Sequence, residues 1–168
     1  MQMMGAADWL RWAMNICARD GYVSPSISRM MGGARSTDTG MTLLELHGQA
    51  ACIIAIVDRL PEPYQAAIWF RAGVLPHQMM RSLAAYLAPH VVRMMPTGVS
   101  NLRAVAMAIM NTAGINGSSK QAISRELQVR TADGAQWAAD VAQRLDSFGR
   151  AAEAEVDRIM RGKGLICA

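Results

Sequence analysis

A chain of 168 residues is long enough for one hydrophobic core, and 52% hydrophobic residues with only 5% aromatics make that core rich in Ala and Met, which favours helix over sheet. Three scattered cysteines, Cys17, Cys52 and Cys167, without CxxC spacing or a Cys/His cluster, exclude a disulfide framework and a zinc finger. The net charge of +4 is unevenly placed: every acid lies at or before Glu62 or at or after Glu126, and residues 63–125 hold Arg71, Arg81, Arg93, Arg103, Lys120, Arg125, His77 and His90.

In chain order, Ala6 to Arg19 reads as a first helix, because Trp9, Leu10, Ala13, Met14 and Cys17 recur at spacings of three and four; Gly21 ends it. Tyr22 to Gly40 is crowded with Ser, Pro, Gly and Thr and reads as the longest loop. Thr42 followed by Glu45 has the capping-box spacing, so a second helix is predicted from there to about Leu60, stopped by Pro61. Pro63 suits the first turn of a third helix that runs to about Ala72, with Gly73 as its C-cap.

Pro76 to Leu87 is predicted as the fourth helix, with Leu75, Met79, Leu83 and Leu87 as its apolar stripe, and Pro89 is expected to break the chain. A short helix over His90 to Met95, at most two turns long, would then end at Pro96. Ser100 is expected to cap a helix through about Asn111, and Ser118 or Ser119 one through Leu127. The last and longest helix is predicted over about 131–161, on the spacing of Val141, Leu145, Phe148, Ala152, Val156 and Ile159. The expected architecture is therefore all-α: one compact multi-helix domain over 1–168, with a hinge candidate at 114–117 and a long C-terminal helix.

No basic stretch leads into an apolar run at the start of the chain, and Cys52 to Val57, the most apolar stretch, is bounded by Glu45, His47, Asp58 and Arg59. Both points speak against a secretory signal and against a membrane span, which needs ~20 apolar residues, so a cytoplasmic protein is expected. His47, His77 and His90 stand apart from each other and from any regular acid or cysteine spacing, and Gly32–Gly33 lacks a phosphate-loop context. Neither catalysis nor a metal or other cofactor is indicated.

The pattern that carries chemistry is a pair of helices about a sharp turn. Leu60–Pro61 opens a helix, Arg71 lies near its end, Gly73 makes the turn, and Leu83-Ala84-Ala85-Tyr86-Leu87 precedes another short helix. Leu60-Pro61 with Ile68, and Leu83-Ala84 with Leu87, resemble region 4 of bacterial sigma factors and also the phage Q-type antitermination proteins. Trp9-x-x-Trp12-Ala13 and the Ser/Pro loop after Tyr22 add to the second resemblance, which covers roughly residues 8–112. That resemblance implies a DNA-binding regulator that loads onto bacterial RNA polymerase near a late promoter and lets transcription pass terminators. After Leu87 the chain departs from the pattern, offering Ala88-Pro89-His90-Val91-Val92-Arg93 in place of a polar turn and a full recognition helix.

Ser118 to Leu127, a turn around Val129 to Thr131 and the start of the long helix form a second candidate, with Ala122 as the small residue at a crossing and Gln121, Arg125, Arg130 and Gln136 as polar groups for phosphates or base edges. The sequence leaves the two open. The residues expected to meet double-stranded DNA are Arg71, Arg81, Arg93, Arg103, Lys120 and Arg125, mostly on phosphates, with Gln78, His90 and Gln121 as possible base readers. The competing reading is a helical interaction or assembly protein without a nucleic-acid role, its long last helix pairing with a partner through its apolar stripe; homo-oligomerisation is open in both. In either reading Trp9, Trp12, Trp69, Trp137 and the Met30–Met31, Met79–Met80 and Met94–Met95 pairs are read first as core residues and second as a partner-binding surface.

Overall fold

The computed structural model describes residues 6–19, 43–95 and 101–164. Among these the chain forms seven helices and no strand: α1 (Ala6–Arg19), α2 (Leu43–Val57), α3 (Glu62–Ala72), α4 (His77–Val92), α5 (Leu102–Thr112), α6 (Lys120–Leu127) and α7 (Thr131–Gly162). The fold is all-α with a long C-terminal helix, and no helix among the described residues is long and apolar enough to cross a membrane. The predicted loop from Tyr22 to Gly40, the cap at Thr42 and the stop at Gly21 lie outside the described residues.

Two compact units divide the chain: residues 1–60 with 153–168, and residues 61–152. In the first, α1 packs on α2, and these two helices bury Leu10, Ala13 and Met14 from α1 with Ala50, Ile53, Ile54, Ile56 and Val57 from α2. Trp9 and Trp12, three residues apart, meet edge to face with centroids 5.3 Å apart, and both stay half-buried. The predicted end of the second helix at Leu60 is met by a tightened turn: Asp58, Arg59 and Leu60 donate back to Ile54, Ile56 and Val57 after α2 ends.

The larger unit is built on one apolar cluster that joins Ala66, Ala67 and Phe70 of α3, Met80, Ala84, Leu87 and Val91 of α4, Val105, Ala108 and Ile109 of α5, Ile123 of α6, and Ala138, Val141 and Leu145 of α7. The α4 and α7 sets recur at three or four residues, so each of these helices turns one stripe inward. The predicted hinge at 114–117 lies inside this unit, where Ile115 is part of the cluster and the buried Ser118 hydroxyl donates to the Ile115 carbonyl.

Three sequence expectations are corrected in this unit. Helix α4 does not stop at Leu87: it runs through Pro89 to Val92, so no separate helix over His90–Met95 exists. An interior proline costs about 3 kcal/mol, but the backbone acceptor it strands belongs to Ala85, which is exposed and can be hydrated. Continuing the helix carries Val91 to full burial in line with Met80, Ala84, Leu87 and Ala88, a gain of roughly 1.5–3 kcal/mol for that side chain alone. The cap of α5 is Asn101, whose side chain accepts from the Ala104 amide at 2.9 Å. Finally, the close approach of the last two helices is made by Ser124 and Gly134, with Ala122 only half-buried.

Candidate nucleic-acid interface

Helices α6 and α7 are joined by three residues, 128–130, and both sides of that turn are fixed by local chemistry. Ser119 caps α6, its hydroxyl accepting from the Ala122 amide at 3.2 Å. At the other end Gln128 takes the left-handed conformation (φ 55°), its amide donating to Arg125 and the Val129 amide to Ser124. These two bonds satisfy carbonyls that the helix end would otherwise leave open, and they reverse the chain within three residues.

The crossing itself depends on two small residues. A Cβ at Gly134 would lie 2.2 Å from the Ser124 Oγ and 3.0 Å from its Cα, so the fourth residue of α7 must be glycine for α7 to lie this close to α6. Ser124 is 4% exposed, and its hydroxyl is satisfied within its own helix by the Lys120 carbonyl at 2.7 Å. Ile123, fully buried, and Trp137, half-buried against the same cluster, hold the pair on the rest of the unit.

What this unit leaves outward is mostly polar, with Val129 and Ala132 exposed among the polar groups. Lys120, Gln121, Arg125, Gln128 and Arg130 are exposed, as are Ala132, Asp133 and Gln136 on α7. Of its acids, Glu126 is matched by Arg103 at 3.5 Å and Asp133 by Arg130 at 3.2 Å, while the exposed Asp140 accepts from Gln136. Lys120 and Arg125 form no ion pair among the described residues. Arg81 joins this neighbourhood from α4, its guanidinium donating to the Asn116 carbonyl, 3.1 Å away, on the connection that leads into α6.

The other expected DNA contacts are placed elsewhere in the unit. Arg71 is engaged on the surface of the fold: its guanidinium pairs with Asp146 of α7 at 2.5 Å, and its stem crosses Gly149, where a Cβ would come within 2.2 Å of the Arg71 Cδ. The Arg71 hydrogen bond holds the Asp146 carboxyl below the usual aspartate range, with Arg150 on its other side at 2.7 Å. His90 is half-buried, its ring 5.5 Å from Tyr86 and stacked 6.5 Å from Phe148, so as a base reader it would first have to leave an aromatic stack. Tyr86 donates to Glu62 at 3.2 Å; its phenol is pushed up by burial and then by that carboxylate. Gln78 and Arg93 are exposed, but Arg93 follows the end of α4, twelve residues and about 18 Å along the helix axis from Arg81.

Three residues that matter to this arrangement escaped the sequence reading: Ser124, Gln128 and Gly134. A signal existed in the glycine itself, since one in the first turns of a helix weakens it by up to ~1 kcal/mol unless something must approach closely. Among the described residues no three His, Cys, Asp or Glu side chains are grouped to hold a metal ion. Comparison with family models, with characterised proteins and with solved structures returned no match to this chain.

Proposed function

We propose that this protein binds double-stranded DNA, with α6, the turn 128–130 and the first half of α7 acting as a helix-turn-helix. The observation that carries this reading is the close crossing at Ser124 and Gly134 across a three-residue turn. That geometry sets a short support helix over the start of a second helix whose outward edge is polar and exposed, the arrangement a helix needs to enter the major groove while its partner rests on the backbone. Lys120, Arg125 and Arg130, with Arg81 beside the preceding connection, supply cationic groups for phosphates.

The α3–α4 pair is the weaker choice, because α4 runs on through Pro89 with no separate helix over His90–Met95, and its expected contact residues Arg71 and His90 are engaged within the fold. With DNA binding assigned to α6–α7, the resemblance of residues 8–112 to phage Q-type antitermination proteins supplies the biological role: transcription control at late genes, with bacterial RNA polymerase as the protein partner.

The test is fluorescence anisotropy with a mixed-sequence duplex over a salt series. Four phosphates engaged by Arg81, Lys120, Arg125 and Arg130 give a log–log slope of about −3 to −4, a loss of roughly 10²-fold between 50 and 200 mM salt. Absence of binding at 50 mM salt would overturn the proposal and leave a helical protein whose partner is another protein.

A further inference from the structure

The first three turns of α7 present an unusual outward face. Ala132, Gln136, Ala139 and Gln143 follow one another at i, i+4, i+7 and i+11, and all four are exposed, whereas Gly134, Ala138, Val141 and Leu145 are buried on the side toward the core. No Lys or Arg stands on that exposed stripe. Beside it, Asp133 is held by Arg130, and Asp140 accepts a hydrogen bond from the Gln136 carboxamide nitrogen at 3.2 Å.

From this we infer that α7 reads A·T base pairs in the major groove, with Gln136 as the adenine-reading residue and Asp140 as the residue that positions it; the inference rests on the α6–α7 proposal above. A carboxamide matches adenine in a bidentate way, its oxygen accepting from N6–H and its nitrogen donating to N7, and an alanine methyl fits against the thymine methyl. The Gln136 nitrogen carries two protons. One is committed to Asp140, which restricts rotation of the amide and leaves the second proton and the carbonyl oxygen, on one edge, for the base. The commonest guanine contact, a guanidinium or ammonium on O6 and N7, has no donor on this stripe. Pre-orientation by a neighbour lowers the entropy lost when the amide engages the base.

The experiment is selection of bound duplexes from a randomised pool with the full-length protein and its Gln136→Ala variant, followed by affinity measurement on the enriched duplex. Expected is an enriched core that contains an A·T pair, and roughly 10-fold weaker binding when its adenine is replaced by 7-deazaadenine, which lacks the N7 acceptor. Gln136→Ala should lose the preference at that one position and bind the 7-deaza and normal duplexes alike. Asp140→Ala should weaken the same preference and Asp140→Asn, which retains an acceptor, should restore it; a purely structural role for Asp140 would not move base preference. An enriched core of G·C pairs, or an unchanged site for Gln136→Ala, would overturn the inference while leaving DNA binding intact. Failure to bind any duplex would overturn both. Circular dichroism on Gln136→Ala, an exposed helix position, verifies that the fold is kept.

Discussion

The α3–α4 and α6–α7 pairs are built alike at their turns and differently everywhere else. Each first helix ends on a residue in the left-handed conformation, Gly73 (φ 67°) in one and Gln128 (φ 55°) in the other, and each second helix starts within four residues. In α3–α4 the polar side chains are tied up in contacts within the fold: Arg71 to Asp146, Tyr86 to Glu62, His90 against Phe148. In α6–α7 small residues fill the crossing and the polar side chains face water. The difference teaches that turn signals locate a helix pair, whereas the placement of small residues decides whether the pair presents a surface or is consumed by packing.

The sharpest way to break the comparison is Gly134→Ala. The added Cβ meets backbone as well as side chain of Ser124, so the crossing must open, at a cost of about 1–3 kcal/mol offset by up to ~1 kcal/mol of helix propensity. Urea unfolding should show a net loss, and duplex affinity should fall with it. If stability and affinity are both unchanged, the close crossing is not what shapes the unit.

Next in size is the contrast between cations. Lys120→Ala with Arg125→Ala should flatten the salt dependence of duplex binding by about two phosphates' worth, roughly 1.8 in slope. Arg71→Ala should leave slope and affinity alone while lowering the melting temperature. Equal losses from both would erase the distinction between the two pairs.

The smallest effect is on pH. The Asp146 carboxyl is lowered in the folded state by the hydrogen bond from Arg71, so its contribution to stability is complete above the unfolded aspartate range and disappears as pH falls through the depressed folded value. The melting temperatures of the wild type and Asp146→Asn should therefore differ at pH 6 and converge under strongly acidic conditions. A constant gap would show that Asn loses packing and not charge.

Most helix positions were legible from stripes of three and four and from caps such as Ser119 and Gly73, because those signals are local. Pro89 misled for the same reason: the local rule says break, and only the burial of Val91, a tertiary fact, reverses it. For the candidate site, Lys120, Gln121 and Arg125 could be named from residue type, but their separation from Arg71 and His90 could not, since it depends on Asp146, Phe148 and Gly149 arriving from more than fifty residues away. The crossing at Gly134 was hidden within a long periodic helix whose pattern is satisfied with or without it.

Gln128 gives the α6–α7 turn one more property. A side chain in the left-handed region costs roughly 1–2 kcal/mol that glycine avoids, and glycine gives back part of this through the larger entropy of its unfolded chain. Gln128→Gly should thus raise stability by about 0.5–1 kcal/mol without altering a contact of the crossing. The turn holds an unclaimed reserve, and a lineage or an engineer in need of tolerance for costly changes on the exposed edge of α7 could draw it from this single position.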